Sequence, residues 1–304
     1  MRVAILDAGY ACYAEETAVF AEAGIEIVQD PSVADGLMLR YKQVDDAFLD
    51  ALPQLRAIVR YGVGYDNIDV DACSRHKVRV ANVQGYANHS VSDHALGLIL
   101  ACSRNLREGM RLLRETYCSP PRPETMELQH QTLGIIGLGN IGRELARKAR
   151  PLFARVMACD PHVNSTRFTD CAERVALSTL LRESDVISLH CDLNDSSRGL
   201  IDEATFAAMV RRPILINTSR GEVIVPDALF AALDRGQLHS VGIDVFPVEP
   251  PGADWDAFLA HPHVVATGHY AWHSATATRK LQQRAATNMV AMLRGESPSD
   301  CLNL

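Results

Sequence analysis

The fold of this chain is indicated most directly by the stretch Gly137-Leu138-Gly139-Asn140-Ile141-Gly142. An apolar run at 132–136, typical of a strand, precedes this stretch, and a helical pattern follows it. In such a setting the first glycine permits a tight turn, the second lets the backbone approach a pyrophosphate, and the third lets helix and strand pack closely. The free N–H groups at the start of the helix favour a negative group there. The stretch therefore predicts a dinucleotide-binding turn.

An acidic residue at the end of the next strand-like run supports this interpretation. Asp160 stands eighteen positions after Gly142, behind the apolar run at 154–159. Glycines between a strand and a helix are often only structural, but a carboxylate at this point can accept both hydroxyls of an adenosine ribose. The same charge would repel a 2′-phosphate, so the sequence predicts NAD rather than NADP as the cofactor.

Length and composition limit the classes of protein that this chain can belong to. A chain of 304 residues is long enough for about two domains. The formal net charge of −7 comes without a basic block, which argues against nucleic-acid partners. No run approaches the ~18 apolar residues of a membrane span, and the opening residues form a strand pattern rather than a signal peptide. The eight cysteines are scattered without metal-ligand spacing, so we expect reduced thiols, no metal and a cytoplasmic protein.

Short apolar runs alternate with helical patterns along the whole chain, which is typical of parallel α/β folds. The first part of the chain shows strand patterns at 2–6, 36–40, 57–59 and 78–83, with helical patterns at 15–23, 45–52 and 70–76. Six further strands are predicted around 133, around 156, and at 186–189, 214–217, 240–245 and 264–267. Six strands are the number that a full dinucleotide-binding fold needs.

Three other segments complete the predicted organisation. A long helix at 92–113 is expected to bridge two domains, and the proline-rich residues 119–123 are expected to form a loop. The last thirty residues contain one helix, at 274–293. Since a single helix cannot form a domain, it must dock onto an earlier unit.

Reactive side chains follow three of the predicted strands in the second half. Arg220, Glu249 and His269 come after separate strands, and the carboxyl ends of parallel strands share one edge of a sheet. Imidazole can move the proton that accompanies hydride transfer, a carboxylate would stabilise its charged form, and a guanidinium suits a substrate carboxylate. Taken singly, the histidine could be a loop residue, the arginine a helix cap and the glutamate a solvated turn. Their joint occurrence after successive strands favours a catalytic site.

At these residues the chain resembles the D-isomer-specific 2-hydroxyacid dehydrogenase family, over nearly its whole length. The similar segments are 61–69, 137–142, 188–190, 217–221, 244–250 and the His269 segment. The resemblance implies two doubly wound α/β domains, with a Rossmann NAD-binding domain at 95–273 inserted into a flavodoxin-like substrate domain at 1–94 and 274–304. It also implies a homodimer joined through the cofactor domain, acting on a small 2-oxo or 2-hydroxy acid.

The same resemblance assigns roles to individual residues. Arg220 would bind substrate, Glu249 and His269 would form the acid/base pair, and the backbone at Val63 and Gly64 would meet the substrate carboxylate. Asp244 would contact the nicotinamide carboxamide. The residues implied in cofactor binding are Gly137, Gly139, Asn140, Ile141, Gly142, Asp160, His190, Thr218 and Asp244.

Within the family, several details resemble the C-terminal-binding-protein branch. Arg60 precedes the glycine turn at 61–64, the residues 191–194 read Cys-Asp-Leu-Asn, and Trp272 stands three positions after His269. In that branch the arginine grips the substrate carboxylate and the tryptophan shapes the side-chain pocket, which would favour an apolar or sulfur-containing substrate. Ordinary packing at a hinge is the alternative for Trp272.

Two positions depart from the family pattern. Gly268 replaces the proline that usually precedes the catalytic histidine, so the loop loses a backbone restraint. Gln84 replaces a proline in the substrate domain, which leaves that loop geometry open.

Two alternatives to the predicted function remain at this point. One is an NAD-sensing corepressor-like binding protein with little turnover, since members of the C-terminal-binding-protein branch recruit peptides. The other is an enzyme with a different donor, such as phosphite or formate. The intact set of Arg220, Glu249 and His269 favours an enzyme, and Arg60 together with Arg220 favours a carboxylate substrate that bears a carbonyl.

Overall fold

The computed structural model describes residues 1–113, 124–168 and 170–303. These residues form two compact units, of which the first is Met1–Ala87 with the chain from Ser274 onward and the second is Asn88–His273. The predicted division at 94/95 falls seven residues further along the chain. The predicted loop at 119–123 lies outside the described residues.

The first unit is built on a five-stranded parallel sheet in the order β2-β1-β3-β4-β5, which is the flavodoxin-like order. Its elements in chain order are β1 (Arg2–Ile5), α1 (Ala14–Ala23), β2 (Glu26–Val28), β3 (Gly36–Leu39), α2 (Asp46–Asp50), β4 (Ala57–Arg60), α3 (Val70–Arg75) and β5 (Arg79–Ala81). The predicted elements agree with these bounds to within about two residues, but strand β2 was not predicted. It has only three residues and lies at the edge of the sheet, where Glu26 and Ile27 are exposed, so it lacks the apolar run of a central strand.

The second unit is built on a seven-stranded parallel sheet in the order β12-β11-β10-β9-β6-β7-β8, the Rossmann order with a seventh strand at one end. Its strands are β6 (Thr132–Ile136), β7 (Arg155–Cys159), β8 (Glu173–Arg174), β9 (Val186–Leu189), β10 (Ile214–Asn217), β11 (Ser240–Ile243) and β12 (Val264–Ala266). Its helices are α4 (Asn88–Ser103), α5 (Leu106–Leu112), α6 (Asn140–Ala149), α7 (Leu177–Glu183), α8 (Glu203–Ala208), α9 (Pro226–Asp234) and α10 (Asp256–Ala260). The strand that the prediction missed, β8, consists of two exposed polar residues.

The prediction of one long helix at 92–113 is wrong, because the structure has two helices there. Helix α4 ends at Ser103 and α5 begins at Leu106. Between them Asn105 adopts a left-handed backbone with φ of 48°, a conformation that asparagine tolerates better than most residues. The apolar pattern continues across the break, so periodicity alone does not reveal it.

The last helix, α11 (Ala275–Leu293), docks onto the first unit, as predicted. Ser274 caps its N-terminus by accepting a hydrogen bond from the Ala277 backbone at 3.0 Å. Its buried face packs against α1 and β4, and Gln282 donates to the buried Glu16 of α1 at 3.2 Å. Within the described residues no helix is both long enough and apolar enough to cross a membrane.

Candidate active site

The glycine turn between β6 and α6 has the geometry that its sequence predicts. Gly137 has φ of 92°, and a Cβ there would come within 2.5 Å of the Cys191 backbone nitrogen. A Cβ on Gly142 would overlap the carbonyl oxygen of Gly137. By contrast, a Cβ on Gly139, which directly precedes α6, would meet no atom of the described residues within 4 Å. Among the described residues, the turn is thus tightly packed at Gly137 and Gly142 and open at Gly139, beside the N-terminus of α6. This arrangement fits a dinucleotide pyrophosphate.

The carboxylate of Asp160 is fixed against this turn. It follows β7, accepts a hydrogen bond from the Leu138 backbone at 2.7 Å, and accepts another from the His162 backbone at 2.8 Å. These two hydrogen bonds fix the orientation of the carboxylate. The ribose contact predicted for Asp160 fits this placement and remains a prediction.

Two further residues predicted to bind the cofactor lie in this unit. The hydroxyl of Thr218 is buried and has no hydrogen-bond partner within the described part of the chain. Because an unpaired buried hydroxyl is costly, its position fits a partner supplied by a ligand. His190 Nε2 lies 2.8 Å from the hydroxyl of Ser188, and burial lowers the pKa of His190 to about 4. This imidazole is therefore neutral near pH 7.

The predicted acid/base residues are in direct contact. His269 Nδ1 lies 2.6 Å from Glu249 Oε2, and the other oxygen of Glu249 accepts a hydrogen bond from the Phe246 backbone at 3.0 Å. Burial acts to raise the pKa of Glu249, but the hydrogen bond and charge of His269, with further help from Phe246 and Arg220, hold it below its usual value. A carboxylate can only accept, so Nδ1 of His269 carries the proton and Nε2 is the nitrogen left for a substrate.

Arg220 is held on the neighbouring loop by contacts that begin at the end of β10. The side chain of Asn217 donates to the Arg220 carbonyl at 2.9 Å and accepts from the Ser219 backbone at 3.0 Å. A Cβ on Gly221 would overlap the backbone of Phe246, so glycine is required for this loop to lie against the segment that leads to Glu249. The structure therefore brings Arg220, Glu249 and His269 to one edge of the sheet, as the order of the strands predicts.

The carboxylate of Asp244 binds the segment that carries His269. This side chain is buried and accepts hydrogen bonds from the Thr267 hydroxyl, from the Tyr270 backbone at 3.1 Å and from the Ala271 backbone at 2.9 Å. The backbone carbonyl of Asp244 accepts a further hydrogen bond from the His269 backbone at 2.7 Å. The nicotinamide contact implied for Asp244 remains a prediction, and the structure shows that this residue also organises the catalytic turn.

Trp272 also contacts this turn. Its indole N–H donates to the His269 carbonyl at 3.1 Å. His269 itself has a left-handed backbone with φ of 52°, and among the residues that the structure describes nothing lies within 4 Å of a Cβ built on the preceding Gly268. The residues after Gly268 are thus held by hydrogen bonds that Asp244 accepts from His269, Tyr270 and Ala271 and by the one that Trp272 donates.

The predicted substrate residues Arg60, Val63 and Gly64 lie in the first unit. Arg60 ends β4 and donates to the Tyr61 carbonyl at 2.9 Å. The carbonyl of Val63 accepts from the side chain of Asn82 at 2.6 Å. In addition, the carbonyl of Gly62 accepts from the Val83 backbone at 2.9 Å, so hydrogen bonds define this loop although Gln84 replaces the usual proline.

Comparison with known proteins identifies the family. The family described as "D-isomer specific 2-hydroxyacid dehydrogenase, NAD binding domain" matches residues 96–271. The chain belongs to this family. A glyoxylate reductase of Korarchaeum cryptofilum is 35% identical over 269 residues, which cover 86% of this chain and 80% of that protein. A hydroxypyruvate reductase of Thermotoga maritima is 37% identical over 234 residues, which cover 77% of this chain and 76% of that protein.

Solved structures give the same result. The apo-structure of D-lactate dehydrogenase from Escherichia coli superposes with a TM-score of 0.84 at 27% identity, covering 99% of this chain and all of that chain. The protein is thus an NAD-dependent oxidoreductase that acts on 2-hydroxy acids, with a Rossmann domain that binds NAD. The predictions of family, fold class, cofactor and enzyme class are confirmed. These comparisons give no support to the corepressor alternative.

We expect Asp160 to give this dehydrogenase its preference for NADH. Its charge pairs with a free ribose diol and repels a 2′-phosphate. Fluorescence titration should therefore show far tighter binding of NADH than of NADPH, and Asp160→Ala should narrow this gap. Asp170→Ala, which removes an exposed carboxylate bonded to Arg147 elsewhere in the same unit, is the control and should leave the gap unchanged. Equal binding of both cofactors by the unaltered protein would contradict this role.

Proposed function

We propose that the enzyme reduces small 2-oxo acids to D-2-hydroxy acids, with Arg220, Glu249 and His269 as its catalytic residues. The contact of 2.6 Å between His269 Nδ1 and Glu249 Oε2 carries this proposal, because it is the arrangement that a general acid needs. Bound NADH supplies the hydride. His269 gives the proton held at Nε2 to the substrate oxygen, and Glu249 stabilises the imidazolium form. Arg220 offers the substrate carboxylate two parallel hydrogen bonds.

The substrate class proposed here is a 2-oxo acid with an uncharged side chain. Relatives named glyoxylate reductase and hydroxypyruvate reductase support a small acid, and the indole of Trp272 supports a side chain that tolerates an apolar wall. The carboxylate contacts proposed for Arg60 and the backbone of Val63 and Gly64 rest on the resemblance to the family.

A panel of substrates tests this choice. We expect glyoxylate, hydroxypyruvate, phenylpyruvate or 4-methylthio-2-oxobutyrate to give a higher kcat/KM with NADH than phosphohydroxypyruvate. Trp272→Ala should penalise the bulky apolar acids most, since only these reach the indole. Trp272→Phe keeps the apolar wall but removes the N–H that bonds to the His269 carbonyl, so it separates the two functions of this residue. A best activity on phosphohydroxypyruvate, or an equal loss on every acid in Trp272→Ala, would exclude this pocket.

We also propose that the enzyme is a homodimer joined through the NAD-binding unit. Three large apolar side chains on and just after α5 are exposed at helical spacing, namely Leu106, Met110 and Leu113, the second of them to 77%. Such a stripe is unfavourable in water and suits a second copy of the chain. Sedimentation of the whole protein should give twice the mass of one chain, and a monomer would contradict the proposal. The cytoplasmic location and the absence of nucleic-acid and membrane partners remain predictions.

A further inference from the structure

His94 is a histidine for which the sequence suggests no role, yet it contacts the site. It lies on α4, and its Nε2 is 2.9 Å from the hydroxyl of Thr267, a residue 173 positions further along the chain. The same nitrogen is 3.7 Å from Asp244 Oδ1. The imidazole is 17% exposed, and it meets the ring of Tyr270 edge to face with centroids 5.2 Å apart.

The directions of the hydrogen bonds in this chain of contacts follow from counting protons. Thr267 has one hydroxyl proton, and it donates this proton to Asp244, whose carboxylate can only accept. The hydroxyl therefore accepts from His94, so Nε2 of His94 carries a proton. The order of donation runs from His94 through Thr267 to Asp244.

Asp244, the last acceptor in this series of hydrogen bonds, is the residue that organises the catalytic turn. Asp244 accepts from the backbone of Tyr270 and Ala271, and its carbonyl accepts from the backbone of His269. Gly268, between Thr267 and His269, has no side chain that could restrict the backbone. The residues on either side of it must therefore be fixed by contacts from elsewhere in the unit.

Helix α4 is a firm support for such contacts. Lys148 of α6 donates to Asp93 at 2.8 Å, to the Ser92 hydroxyl at 2.7 Å and to the His89 carbonyl at 3.2 Å. These bonds tie the first two turns of α4 to α6, the helix that begins at the glycine turn. A side chain on α4 thus holds a fixed position relative to the cofactor-binding turn.

We propose that His94 is a positioning residue for the reaction, which holds the turn of His269 through Thr267 and Asp244. The proposal rests on the catalytic role proposed for His269. His94 acts through Thr267 and Asp244 and does not touch the reacting atoms. It keeps the His269 imidazole in the orientation needed for proton transfer. A displacement of about 1 Å can lower the rate by ~10²-fold.

Replacements that separate the ring from the donor test this proposal. His94→Phe keeps the aromatic contact with Tyr270 but cannot donate, whereas His94→Gln loses the ring and keeps an N–H donor. We expect His94→Phe to lower kcat by about ten- to a hundredfold, with the dissociation constant for NADH unchanged within about twofold, and His94→Gln to recover most of the rate. The control is His130→Phe, which alters an exposed histidine of the same unit and should leave kcat unchanged.

The hydroxyl of Thr267, which lies between His94 and Asp244, gives an independent test. Thr267→Val should lower kcat as His94→Phe does, and the double variant should be no slower than the slower single variant, because both remove one connected path. The proposal would be overturned if the loss of kcat in the double variant were the product of the two single losses. It would also be overturned if His94→Gln were as slow as His94→Phe, or if His94→Phe had a normal kcat. If His269→Ala is inactive at the same time, the proposed function stands without this inference; if His269→Ala is fully active, both are wrong.

Discussion

Replacing His269 by alanine is expected to lower kcat for the reduction of 2-oxo acids by ~10²–10⁴-fold, the usual contribution of a positioned general acid. Glu249 binds Nδ1 of this imidazole at 2.6 Å, so Nε2 is the nitrogen that delivers the proton to the substrate. Stopped-flow measurement of NADH oxidation at saturating substrate would give the loss in the chemical step directly. Affinity for NADH should stay nearly normal, because the glycine turn does not depend on His269.

A companion variant, Glu249→Gln, separates the acid from its support. The low pKa of Glu249 means that its carboxylate is ionised through the neutral range and stabilises the protonated imidazole. The amide lacks this charge, so the variant should reduce the substrate more slowly than the unaltered enzyme does. As the pH is raised, the rate of the variant should begin to fall at a lower pH than the rate of the unaltered enzyme. Unchanged turnover in His269→Ala, or an unchanged pH profile in Glu249→Gln, would exclude the acid/base pair.

Loss of Arg220 is expected to have the second largest effect. A charge-assisted hydrogen bond to a carboxylate contributes about 1.5–3 kcal/mol, so Arg220→Gln should lower kcat/KM by roughly 10- to 150-fold for every 2-oxo acid. Arg220→Lys should recover only part of the loss, because lysine keeps the charge but lacks the planar fork. Steady-state kinetics over several acids would measure both. Full activity of Arg220→Gln on all of them would show that another group binds the carboxylate.

Much of the cofactor site could be predicted because its signals are local. The glycine spacing at 137–142 and the acid at position 160 depend on a turn and on the end of the next strand, and both are visible within thirty residues of sequence. The convergence of Arg220, Glu249 and His269 could be predicted from topology, since parallel strands end at one edge.

The features that the sequence did not reveal depend on tertiary contacts or on weak local preferences. The break at Asn105 interrupts an apolar pattern that continues on both sides of it. Strand β8 has too few residues to show alternation. The contact between His94 and Thr267 depends on how α4 packs on β12, and no local motif marks either residue.

The configuration of the product formed from a prochiral 2-oxo acid and NADH is the most direct measurement of what this enzyme does. Phenylpyruvate or pyruvate would be converted by the unaltered protein and by His269→Ala, and the hydroxy acid would be resolved by chiral chromatography. We predict the D isomer alone from the unaltered protein and little conversion by the variant in the same time. The L isomer, a racemic product, or equal conversion by His269→Ala would contradict a D-specific reduction that depends on this histidine.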